Sequence, residues 1–142
     1  MVGQPYIRRC LSVRQPWAWL IVHGWKNIEN RYWATKHRGD LLIHAAQTMT
    51  ADDYDACRIF VDSICDNLAL PMPADLPRGG IVGEVTLLDC VNIHSSPWFT
   101  GPVGWVLDEA CAYKWIPCRG MPGMFTVTLP EHLMPQLKDK GI

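Results

Sequence analysis

The sequence predicts an α+β fold: a small curved sheet or barrel of about five to six strands with two or three helices packed on it. Three observations lead there. Segments with strand character outnumber helical ones, the two kinds do not alternate regularly, and no stretch of the chain repeats another. With 142 residues, a globule buries about 68–70% of the surface its unfolded chain exposes, enough for a core without metal or disulfide staples.

Residues 8–13 read as the first strand, which cannot continue past Pro16. That proline suits the first turn of a helix, where a missing N–H costs nothing. Residues 17–23 are apolar nearly all round, the pattern of a buried helix, and Gly24 supplies a left-handed stop. Strands are expected at 27–33 and 40–46, with Arg38-Gly39 as the turn between them. Thr50, followed by Asp52 and Asp53, opens a second helix with acids at the positive end of its dipole. Tyr54, Cys57, Phe60, Ile64 and Leu68 recur at helical spacing and predict a helix of about 17–20 residues running to Leu70. Pro71, Pro73 and Pro77 close it. Residues 80–88 form a strong strand, 92–103 a loop rich in Ser, Pro and Gly, and further strands lie near 104–115 and 124–129.

Composition removes several classes of function. Hydrophobic residues at 49% and charged residues at 19% exclude a disordered chain. A formal charge of −1 excludes a globally basic nucleic-acid coat. The charge is unevenly spread, however: residues 1–50 carry seven Lys or Arg against two acids, and the remainder six against twelve. Such a chain can offer a basic face to an anion and stay soluble, provided that the two halves do not interleave in space. The start, Met1 to Pro5, has no apolar signal core, and the longest uncharged run, 90–107, is broken by polar residues and prolines, so no membrane segment is expected. Six scattered cysteines without a CxxC pair point to reduced, mostly buried thiols in a cytoplasmic protein, with no metal site and no cofactor.

Two clusters carry chemistry. Ser12, Arg14 and Gln15 stand where the first strand feeds the helix, and Gln15 is a weak capping residue. Uncapped helix-start amides beside a guanidinium suit phosphate or a polar base edge, whereas solvated amides and a surface arginine are the plain alternative. The second cluster is Gly24 to Arg31. Two-residue alternation puts Glu29, Arg31 and Trp33 on one strand face, while Lys26 occupies the turn before it and is expected to be partly solvated. These groups form either a salt-bridged edge or a polar site in which Glu29 accepts from an amino group and the cations hold phosphate. Four of the seven tryptophans (17, 19, 25 and 33) lie among the basic residues and suit base stacking; Trp17 and Trp19 also fit a core, and Trp25 and Trp33 are the better candidates for exposure. His44 follows three apolar residues and reads as a satisfied core histidine. Glu84, inside an apolar strand, requires a partner, with Lys26 or Arg31 as candidates, or else serves as a recognition group.

Two segments, Leu11-Ser12-Val13-Arg14-Gln15-Pro16-Trp17-Ala18 and Gly24-x-Lys26-x-x-Glu29-x-Arg31, resemble the signature of the ASCH domain, a member of the PUA-like superfamily. The resemblance continues through 38–45, 80–85, Pro117-x-Arg119-Gly120 and Phe125-x-Val127-x-x-Pro130-Glu131-His132-Leu133. It is strongest toward short ASCH proteins of the endothelium-and-lymphocyte-associated type. It implies one ASCH domain over residues 1–142 with a helical insertion at about 50–78, folded as a PUA-like β-barrel. It also implies RNA, single-stranded nucleic acid or a nucleotide as partner, in a cleft next to the first helix. The residues assigned to that cleft are Ser12, Arg14, Gln15, Trp17, Trp25, Lys26, Glu29, Arg31, Trp33, Arg38 and Glu84. Two alternatives stay open. One is a small hydrolase acting on N4-acetylcytidine or an RNA phosphodiester through Lys26 and Glu29, although the amidohydrolases that the lysine matches carry threonine where this chain has Glu29. The other is an adaptor that binds protein through its tryptophan-rich surface.

Overall fold

In the computed structural model, which describes residues 6–129, the chain runs β1 (Tyr6–Val13), α1 (Trp17–Val22), β2 (Ile28–Arg31), β3 (Gly39–Ala45), α2 (Ala51–Ile64), a 3₁₀ turn (Pro73–Asp75), β4 (Gly80–Val91), β5 (Val103–Pro117) and β6 (Met124–Leu129). The segments Met1 to Pro5 and Pro130 to Leu133 that the sequence reading used lie outside the described residues. The fold is α+β. Six strands form one mixed sheet in the order β2-β5-β4-β3-β1-β6, in which only the β1–β3 pair is parallel. A parallel pair needs a crossover, and the segment holding α1 and β2 provides it.

The sheet curls because its longest ladder is irregular. The β4–β5 register shifts at three places, between Ile81 and Gly83, Glu84 and Thr86, and Leu87 and Asp89, and bulges of this kind bend and twist a strand. The edge strands β2 and β6 share no ladder among the described residues. Side chains bridge that gap instead. Arg31 of β2 donates from Nη2 to the Ser12 carbonyl of β1 at 2.7 Å, and the Trp33 ring lies beside Gly123, just before β6.

Alternation along the strands builds two cores. Leu11, Leu41, Ile43, Val85 and Trp105 point to one face and pack with Ala18, Ile21 and Val22 of α1. Cys10, Leu42, Ile81 and Tyr113 point to the other and pack with Val127 and Leu129. The uninterrupted Leu41-Leu42-Ile43 run is apolar because β3 is buried on both faces. Helix α1 lies so close to β4 that a Cβ at Gly83 would come within 2.7 Å of Val22 and 2.4 Å of the Cys111 carbonyl oxygen; only glycine admits this approach.

Helix α2 has 14 residues and ends at Ile64, short of Leu70. Cys65 is extended, and Asp66 and Asn67, whose short polar side chains compete with helical hydrogen bonding, follow it. Leu68 and Leu70 still reach the cluster of Cys57, Val61, Leu20 and Trp98 from an irregular segment, so their spacing imitated a longer helix. The Thr50 start is as expected: Thr50 Oγ1 accepts from the Asp53 N–H at 3.0 Å and Asp53 accepts in return from the Thr50 N–H at 2.9 Å. Of the six thiols, Cys10 and Cys57 are buried and four are half-buried. Among the described residues no helix is long and apolar enough to cross a membrane, and no three His, Cys, Asp or Glu side chains are grouped to hold a metal ion.

Candidate functional site

The turn after α1 sets the site. Gly24 has φ +81°, and the N–H groups of Trp25 and Lys26 both donate to the Leu20 carbonyl, at 2.9 and 3.0 Å. This tight reversal sends the Lys26 side chain inward rather than into water, leaving the residue 5% exposed. The expectation of a partly solvated lysine is thus corrected. Its ammonium donates to the Ile28 carbonyl and to Glu29 Oε1 at 2.8 Å, with the Trp17 ring centroid 5.7 Å away.

Glu29 is 8% exposed and uses both oxygens. Oε1 takes Lys26, and Oε2 takes Arg31 Nε at 3.0 Å. Arg31 also reaches Ser12 O, so a polar chain runs from the helix turn through β2 to β1. Strand alternation put Glu29 and Arg31 on one face, and the structure has them there. Two cations on one carboxylate compensate the desolvation that burial imposes on all three groups. Nearby, burial pushes the Cys57 thiol up to about 12, against the opposing pull of Lys26.

Two adjoining depressions open on this cluster. The first, about 380 Å³, has Lys26 and Glu29 on its floor and Trp17, Phe60 and Trp98 as aromatic walls. Phe60 packs edge-on against Trp17 and tilted against Trp98, with centroids 5.8 Å apart in both pairs. The second, about 790 Å³, is lined by Ser12, Arg14, Arg31 and Trp33, and shares Trp17, Glu29 and Asn30 with the first. Seven of the expected residues therefore meet: Ser12, Arg14, Trp17, Lys26, Glu29, Arg31 and Trp33. Arg14 is more than half exposed and paired with Asp53 at 3.1 Å. Trp33 stands edge-on to Trp105, and its carbonyl accepts the Trp105 indole N–H at 3.0 Å.

Four residues serve elsewhere. Gln15 is fully buried; its Oε1 accepts the Trp19 N–H at 2.8 Å and its Nε2 donates to the Pro77 carbonyl at 2.8 Å. It is thus the acceptor that α1 was expected to lack, placed one residue before the N-cap position, Pro16. Arg38 binds Asp89 at 3.3 Å and two neighbouring carbonyls, away from both depressions. Trp25 is exposed but lines neither depression. Glu84 accepts a hydrogen bond from the Tyr113 hydroxyl on the other face of the sheet, so its expected pairing with Lys26 or Arg31 is corrected. His44 is a satisfied core histidine, with Nε2 2.6 Å from the Cys118 carbonyl oxygen.

The aromatic wall also contains residues that no sequence signal marked. Asn30 ties β2 to the loop before β5: its Nδ2 donates to Trp98 O at 2.9 Å, and its Oδ1 accepts from the Thr100 and Gly101 N–H groups at 2.9 and 3.0 Å. Trp98 and Phe60 reach the site from positions distant in sequence.

The ASCH domain family matches residues 11–110, well over half of the chain. Activating signal cointegrator 1 of Homo sapiens is 37% identical over 83 residues, and its counterpart in Mus musculus 36% over 83 residues. Each alignment covers 58% of this chain and 14% of the relative, so the chain spans only a small part of those proteins.

Proposed function

The chain belongs to the ASCH domain family, and from that premise we propose that it binds single-stranded RNA, or a nucleotide derived from it, in the cleft beside α1. One observation carries this reading: a depression with three aromatic walls is lined by a carboxylate and an ammonium, and the same carboxylate holds a guanidinium that lines the adjoining depression. A base has two apolar faces and a polar edge, and that arrangement suits it. At about 380 Å³ the depression falls in the roughly 300–1,000 Å³ range of small-molecule sites. A carboxylate has about four acceptor positions, so Glu29 can receive an amino or imino N–H while holding Lys26 and Arg31. Arg14 and Arg31, in the adjoining depression, are available to phosphate.

Binding suits this geometry better than catalysis. The Lys26 ammonium is already engaged by Ile28 O and Glu29, an arrangement that orders the floor of a pocket. The test is a tryptophan-fluorescence titration with free nucleosides and with short single-stranded RNA. The expected log–log salt slope for RNA is roughly −2 to −4, because few cations face the cleft. Glu29→Gln should weaken binding by roughly 1–3 kcal/mol. Absence of binding to any RNA or nucleoside at about 50 mM salt, where phosphate contacts are strong, would overturn the proposal.

A further inference from the structure

A third depression, about 670 Å³, continues the groove. It is lined by His44, Gln47, Arg119 and Met121 and shares Ser12, Ala46 and Pro122 with the middle one. Three confluent depressions therefore run from the aromatic pocket, past Arg14 and Arg31, to the 117–122 loop, and each alone has the size of a small-molecule site. Their linings hold Arg14, Lys26, Arg31 and Arg119 against a single carboxylate, Glu29, in a chain whose net charge is −1. Three of the seven basic residues of the first 50, Arg14, Lys26 and Arg31, thus lie along one track, which Arg119 extends.

The far end differs from the near end in having no ion pair among the described residues. Lys26 and Arg31 are bound to Glu29, and Arg14 to Asp53. Arg119 is exposed, and among the described residues nothing accepts from its guanidinium. Met121, on the same loop, is 54% exposed and offers a polarisable, adaptable surface. An exposed guanidinium beside an exposed apolar side chain suits a phosphate followed by a base.

We infer that the groove takes a single-stranded oligonucleotide of about three nucleotides, with one base in the aromatic pocket and the outgoing phosphate on Arg119. The inference rests on the nucleotide reading above and adds to it the length of the ligand. The test compares a nucleoside monophosphate with a trinucleotide of the same base, using the wild-type chain and Arg119→Gln, with thermal melting to confirm that the fold is intact. The trinucleotide should bind at least roughly tenfold tighter than the monophosphate, since each added phosphate contact contributes. Arg119→Gln should remove most of that gain, lower the magnitude of the salt slope by about one, and leave monophosphate affinity unchanged. Equal affinity for both ligands, or a length advantage that survives Arg119→Gln, overturns the three-nucleotide groove while the pocket reading stands. Failure of both ligands to bind overturns the two together.

Discussion

Glu29 and Glu84 are carboxylates on opposite faces of one sheet, and they are satisfied in different ways. Glu29 lies in register with Trp105, a member of the main core, and takes a lysine and an arginine. Glu84 lies in register with Leu42, of the second cluster, and takes the hydroxyl of Tyr113. The first arrangement brings three charged groups out of water together, so that removing one strands the others. The second includes a neutral donor, the Tyr113 hydroxyl. At the cleft the chain therefore commits a buried ion pair to the lining of an aromatic pocket, where breaking it from one side is costly.

The largest effect expected from this contrast is at Lys26. Lys26→Met leaves the Ile28 carbonyl without its ammonium donor and Glu29 with Arg31 alone. Breaking a buried ion pair from one side costs about 3–5 kcal/mol, which lowers Tm by more than about 10 °C in a domain of this size. A partly solvated lysine would have contributed about 0–1 kcal/mol. Thermal melting of Lys26→Met and Glu29→Leu, singly and together, checks this: the double variant should lose less than the sum of the two. A Lys26→Met cost below about 1 kcal/mol, the upper end for an exposed pair, would erase the contrast between the two faces.

Tyr113→Phe probes the other side and should cost less, about 1.5–3 kcal/mol for a hydrogen bond to a charged acceptor. Burial first, and then the Glu84 carboxylate that accepts its proton, push the Tyr113 hydroxyl well above the ordinary tyrosine range. A raised folded-state pKa means that the stabilisation is fully present below the unfolded value, about 10, and is lost as pH rises above it. Denaturant melts at increasing alkaline pH should therefore show the wild-type advantage over Tyr113→Phe shrinking above about pH 10. An advantage that stays constant through that range would show that the phenol proton carries none of it.

Much of this contrast was legible in the sequence, because it depends on local spacing. Glu29 and Arg31 are two residues apart in a strand, so alternation alone put them on one face. Lys26 was legible as a neighbour but not as a buried one, since its direction depends on how Gly24 reverses the chain beneath Leu20. The aromatic wall was not legible. Phe60 stood out only as one apolar position of a helix, and Trp98 as a loop residue. Their meeting depends on β2 pairing with β5 and on Asn30 holding the loop ahead of it. Gln15 was misread because a glutamine reaches a helix N–H four residues on, beyond the span in which short side chains cap. For Glu84 the sequence offered Lys26, Arg31 or a recognition role, because it shows that a buried carboxylate needs a partner but not which face of a curled sheet it occupies.

The smallest expected effect is at Asp53, where the contact is exposed and joins the helix that carries Phe60 to the strand end that carries Arg14. The Thr50 N–H, foremost, holds the Asp53 carboxyl below its usual range against the opposing pull of desolvation, with the Thr50 hydroxyl and Arg14 adding to the lowering. A lowered folded-state pKa gives stabilisation that is present above the unfolded value, about 4, and lost as pH falls through the folded one. Asp53→Asn keeps an oxygen to accept from Thr50 but has no charge for Arg14 or for the positive helix end. Its Tm should lie slightly below wild type at neutral pH, and the two should converge as pH falls below about 4. Because α2 supplies Ala56 and Phe60 to the pocket, a looser attachment should also weaken nucleoside binding by about twofold, a small effect as expected for a screened surface pair. A Tm difference that persists unchanged into acid would assign the helix start to the geometry of its hydrogen bonds rather than to charge, and the pocket wall would then be held by packing of Phe60 on Trp17 and Trp98 alone.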